Sequence, residues 1–111
     1  MRKVADVFKD NESTLRLMVY STSGQEVYLF GYINHEDGSS DWEKTFRNLE
    51  LTYEYAQKQY GVERVDWNTV PDPLEGCLPD WINPVRVKGQ AFGKPEPGKL
   101  ETLENGEWKE I

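Results

Sequence analysis

From Thr14 to Tyr20 the chain reads TLRLMVY, with Leu15, Leu17 and Val19 alternating against Arg16, Met18 and Tyr20. After STSGQE the alternation resumes in VYLFGYIN, where Val27, Leu29 and Ile33 stand against Tyr28, Phe30 and Tyr32. Successive strand side chains point to opposite faces, so two such runs around a Ser-Gly turn predict a β-hairpin. A slip of one residue would exchange the faces. A two-residue Ser23-Gly24 loop would set Val19 across from Tyr28 and mix the two sets. A three-residue loop, Thr22-Ser23-Gly24 with Gly24 left-handed in a bulge, keeps the aliphatic residues together and is the expected form. Arg16, Met18, Tyr20, Tyr28, Phe30 and Tyr32 then share the other, aromatic face.

The period changes after HEDGSS (35–40). Trp42, Phe46, Leu49, Tyr53, Ala56 and Tyr60 recur at spacings of four and three, which predicts a helix over about residues 41–60 with one apolar stripe. Ser40 and Glu43 fit a capping box at its start, and Gly61 fits a left-handed cap at its end. Glu43–Arg47 and Glu54–Lys58 have the spacing of helix-surface ion pairs. Val4, Val7 and Phe8 are helically spaced as well and suggest a turn or two at residues 1–11. VERVDW (62–67) and PVRVKGQAF (84–92) read as strands. Asn105-Gly106 is a strong hairpin signal and sets Leu103 opposite Trp108 and Glu101 opposite Glu110. The whole, residues 1–111, is expected to be one α+β domain: a mostly antiparallel sheet of about five to six strands, with one main helix packed on the aliphatic face of the first hairpin.

Composition narrows the class. Aromatic residues make up 13% of 111, so the chain has enough ring surface for a folded core. No run approaches the roughly 18 apolar residues of a membrane helix, and MRKVADVFKDNE lacks the apolar stretch of a secretion signal. A single cysteine, Cys77, has no internal partner for a disulfide, which points to the cytoplasm. Twenty acids against thirteen bases give a net charge of −7, which argues against nucleic-acid binding through a basic face and suits a basic partner or simple solubility.

Candidate chemistry is sparse. His35, the only histidine, sits in NHEDG, where an imidazole titrates near neutrality but also serves as ordinary turn chemistry. Cys77 is the only thiol, and the carboxylates of PLEGCLPD would raise its pKa and keep it unreactive. One His and one Cys do not make a zinc site, and DWNTVPD lacks the ligand spacing of a calcium loop, so neither a metal nor a cofactor is expected. Catalysis is accordingly the lesser expectation.

Each tryptophan follows an acid: Asp41-Trp42, Asp66-Trp67, Asp80-Trp81 and Glu107-Trp108. Helix polarity would account for the first pair and strand alternation for the last, but nothing local requires the middle two. They flank DWNTVPDPLEGCLPDWINPV, residues 66–85, which carries four carboxylates and no Lys or Arg. A proline-stiffened acidic loop with tryptophans suits recognition of a basic protein, as in an inhibitor or immunity protein. Its candidate contact residues are Asp66, Trp67, Asp72, Glu75, Asp80 and Trp81. The competing structural role is a plug, in which Trp67, Leu74, Leu78, Trp81 and Ile82 cover the aromatic face. Two other functions stay open: a small-molecule binder or enzyme using the Tyr/Trp-rich face with His35 or Cys77, and a subunit of a larger assembly.

Overall fold

The computed structural model describes residues 1–9, 12–23, 26–33 and 37–111. These described residues form an α+β structure with one α-helix and eight strands in two antiparallel sheets. The larger sheet holds β1 (Arg2–Lys9), β2 (Glu12–Ser21), β3 (Val27–Tyr32), β4 (Trp42–Phe46) and β5 (Asn68–Val70), in the order β4-β3-β2-β1-β5. The expected N-terminal helical turns are absent: Arg2–Lys9 is a strand paired with β2, with a register shift between Val7 and Phe8. Spacings of four satisfy a strand face as well as a helix face, which is why Val4 and Phe8 misled.

The first hairpin keeps its aliphatic and aromatic sets apart. Its pairs are Tyr20 with Tyr28, Met18 with Phe30 and Val19 with Leu29, and the last pair before the turn joins Ser21 to Val27. The connection therefore spans 22–26, longer than the expected three residues by an even number, so every face is preserved. Gly24 lies outside the described residues. Gly31, not Ile33, completes the aliphatic row. Ile33 is exposed and donates its backbone N–H to Asp41 Oδ2 at 2.7 Å.

The helix α1 (Leu49–Tyr60) is shorter than its stripe suggested. Trp42–Phe46 forms β4 against β3, and Asn48 is the cap, its side chain accepting from Leu51 N at 2.9 Å. Ser40 and Glu43 are therefore not a capping box, and Glu43–Arg47 is not a helical pair. Gly61 does close the helix, with φ 70° and its N–H bonded to Gln57 O. The helix packs on the aliphatic face: Tyr53 and Ala56 join Ala5, Val7, Leu17, Val19, Val27, Leu29, Val62 and Trp67 in the main core.

VERVDW is a 3-10 turn over Arg64–Asp66, and the strand begins only at Asn68. Val62 and Val65 are three apart, the spacing of such a turn, and Asp66 Oδ2 accepts from Glu63 N at 2.8 Å. The second sheet comprises β6 (Val85–Val87), β7 (Leu100–Glu104) and β8 (Glu107–Glu110). β6 is shorter than the expected strand because the chain turns at Gly89 into a 3-10 turn over Gln90–Phe92. Asn105 and Gly106, with φ of 50° and 79°, form the predicted tight turn, and Leu103 pairs with Trp108 and Glu101 with Glu110. Among the described residues no helix is long and apolar enough to cross a membrane.

Candidate functional site

The segment between β5 and β6 is organised by an arginine from the opposite end of the chain. Arg2 projects from β1 on the aromatic face and is only 1% exposed. Its Nε donates to Pro71 O at 2.7 Å, its Nη1 to Pro79 O at 3.0 Å and to Trp81 O, and its Nη2 to Ile82 O at 3.3 Å. A planar guanidinium with five N–H donors can hold several carbonyls at fixed angles, as an ammonium cannot. Burial lowers its pKa, and its electrostatic interactions with Tyr32, Asp72 and Asp37 oppose that shift. Arginine's high starting value leaves it charged.

The loop is held from its other side by the connection between β3 and β4. Asp37 accepts from Ile82 N at 2.7 Å and Asn83 N at 2.8 Å. Asp80 Oδ2 accepts from Ser40 N at 2.9 Å and Ser40 Oγ at 3.1 Å, and Tyr32 donates its hydroxyl to Asp80 O. Trp81 Nε1 donates to Ser39 Oγ at 3.2 Å. Polar atoms of this fourteen-residue connection thus find partners in β1, at the end of β3 and in the turn after it, so it is ordered without strands or helices of its own.

The six candidate contact residues separate into distinct environments. Trp67 is buried on the helix side, its ring 5.6 Å from that of Tyr53, so it neither faces a partner nor covers the aromatic face. Asp66 caps its own 3-10 turn, which supplies the local cause that the sequence did not reveal. Asp72 and Glu75 are exposed; Asp72 pairs with the Met1 amine at 2.8 Å, and that bond holds its carboxyl below the usual range. Asp80 and Trp81 are half-buried. Of the expected plug, Ile82 does pack on Met18, Phe30 and Tyr32, whereas Leu74 is 50% exposed. Arg2 and Asp37 carry no motif, and the spacing of Glu43 marked it only as a helix-cap and helix-surface residue, not as part of a site.

Two concavities result. One, of about 330 Å³, is formed almost wholly by the loop, with Leu74, Cys77, Leu78, Trp81 and Ile82 among its walls and Arg2 as its one cation. Burial raises the Cys77 thiol pKa, while Arg86 and Arg2 pull it down. The direction matches the sequence reading but the cause is desolvation, not neighbouring carboxylates. His35 lies outside the described residues. The other concavity, of about 300 Å³, lies where the loop meets the aromatic face and is lined by Tyr28, Phe30, Glu43, Pro79 and Asp80. Its rings continue a ladder in which Tyr20 and Tyr28 are 6.1 Å apart and Tyr28 and Phe30 6.2 Å apart. No protein-family model, curated protein or solved structure matches the chain.

Proposed function

We propose that this is a small acidic binding protein that recognises a basic protein partner, in the manner of an inhibitor or immunity protein, through the outer side of the 66–85 loop. One observation carries the reading: the loop is clamped by Arg2 and Asp37 through its backbone, while Asp72 and Glu75 stay on the surface. A pre-ordered loop loses little entropy on binding, and its carboxylates steer a cationic surface into register. A net charge of −7 works in the same direction at long range. A cytoplasmic setting fits the free thiol of Cys77.

The test is capture of basic proteins at low salt by the wild type and by a variant carrying Asp72→Lys and Glu75→Lys. The reading expects the double reversal to weaken capture about tenfold or more, and added salt to weaken it for the wild type. Equal capture by both proteins would overturn it. A second reading, a small-molecule binder, draws on the loop's own cavity of about 330 Å³, whose walls are mostly apolar. A ligand of that kind would slow alkylation of Cys77, which lines the same cavity.

A further inference from the structure

The cleft between the loop and the aromatic face has a chemistry of its own. Phe30 and Glu43 are direct cross-strand partners on β3 and β4, so a carboxylate stands beside the ring at the sheet's edge. Glu43 is exposed and is in no ion pair among the described residues. Asp80 enters from the loop, held in place by Ser40 at its carboxylate and by Tyr32 at its carbonyl. Tyr28 and Phe30 are nearly parallel, at 6°. The half-buried Tyr28 ring, backed by the buried Phe30, and two carboxylates without a cationic partner among the described residues together attract a cation.

Several of the protein's own cations are engaged elsewhere. Arg16 pairs with Asp6, Arg64 with Glu50, Arg86 with Glu101, and Lys44 lies over Tyr55, while no Lys or Arg lines the cleft. We infer that the cleft formed by Tyr28, Phe30, Glu43 and Asp80 receives an arginine side chain of the partner. This rests on the basic-partner reading and names the group that is read. Arginine is favoured over lysine because its flat, weakly hydrated guanidinium can lie against a ring while its edge donates to carboxylates. A phosphate-bearing partner is disfavoured, since both charges in the cleft are negative.

Three short capped peptides that differ only at one residue, arginine, lysine or citrulline, are titrated into the protein and followed by NMR of the aromatic rings and backbone amides. The arginine peptide is expected to shift the ring signals of Tyr28 and Phe30 and to bind several-fold more tightly than the lysine peptide. Citrulline, neutral but nearly isosteric, should bind about tenfold more weakly or not at all. Glu43→Gln, an exposed substitution whose folding the unchanged amide spectrum verifies, should weaken arginine about fivefold. Equal binding of arginine and citrulline, insensitivity to Glu43→Gln, or absence of ring shifts would each overturn the inference.

The two readings fail separately. Protein capture lost on Asp72→Lys plus Glu75→Lys but unchanged by Glu43→Gln would retain the basic partner and remove the arginine cleft. Arginine binding in the cleft without capture of any basic protein would uphold the cleft's chemistry and remove the protein partner.

Discussion

Arg2 joins the first strand to the connection between β5 and β6 through hydrogen bonds alone. Its acceptors are neutral carbonyls of Pro71, Pro79, Trp81 and Ile82, so replacing it leaves several buried oxygens short of a donor. Arg2→Lys keeps the charge but loses the fork. It should cost about 2 kcal/mol or more in urea unfolding, and Arg2→Met more still, with earlier protease cleavage in residues 71–84. Tyr32 is the second fixing point. Burial, aided by the charges of Asp80 and Asp37, raises its phenol pKa far above the ordinary value of about 10. The unfolded chain therefore releases this proton near pH 10 while the folded chain keeps it. The stabilisation is complete below pH ~10 and falls as pH rises above it. Tyr32→Phe should lose about 1 kcal/mol at neutral pH with the bond to Asp80, yet show a shallower loss of stability on alkaline titration; an unchanged alkaline slope would exclude Tyr32 as its source. The acids before the tryptophans have similar local duties. Asp41 accepts from Ile33, Asp66 from Glu63 and Asp80 from Ser40, so a pattern that looked like surface recognition is largely turn closure.

Trp42 and Phe46 lie four residues apart, which places them on one side of a strand and on one side of a helix alike. The sequence pattern could not separate these, and the capping residues decided: Asn48 caps the helix, while Ser40 serves the loop through Asp80. Asn48→Ala should lower stability by about 1 kcal/mol and fray the first helical turn, whereas Ser40→Ala should leave helix content untouched. Circular dichroism with denaturant titration separates them. The strand assignment also rests on Gly31, whose missing side chain makes room for the Trp42 indole: a Cβ there would lie 2.0 Å from Trp42 Cε2. Gly31→Ala should cost about 1–3 kcal/mol, because the indole is packed against Tyr60 and cannot simply swing away. Alternation and turn chemistry made the first hairpin's faces, the C-terminal hairpin, and the helix with its Gly61 cap, though not its start at Leu49, legible in advance. The split into two sheets was not legible, because strand pairing between distant segments depends on long-range contacts such as those of Arg2. The candidate site was half legible for the same reason: its loop announced itself by proline and charge, but Glu43 and Tyr28 reach it only through the β3–β4 register.

The molecule is extended for its size, with principal dimensions of 43 × 33 × 23 Å and a radius of gyration of 15.1 Å, against about 13 Å for a compact chain of this length. The reason is that the two sheets share little core. The main core joins the five-stranded sheet to α1, and in the smaller sheet only Val85 is buried. That sheet relies instead on polar and cation–π interactions: the largely buried Arg86 bonded to Glu101 at 2.6 Å and stacked 3.7 Å from the Trp108 ring, and the more exposed Lys88 paired with Glu110. Its attachment to the loop runs through Leu78 N to Val85 O and through Leu103 N and Thr102 Oγ1 to Pro84 O. Local stability follows apolar burial, so the amides of β7 and β8 should exchange with solvent about a hundredfold or more faster than those of β2 and β3. Arg86→Met should widen the gap by removing the bond to Glu101 while leaving β2 and β3 exchange unchanged. Uniform protection across both sheets would instead mean that the loop couples them into one cooperative unit. A strong response of β7 to Arg2→Lys would then be expected, since that arginine is what fixes the loop in place.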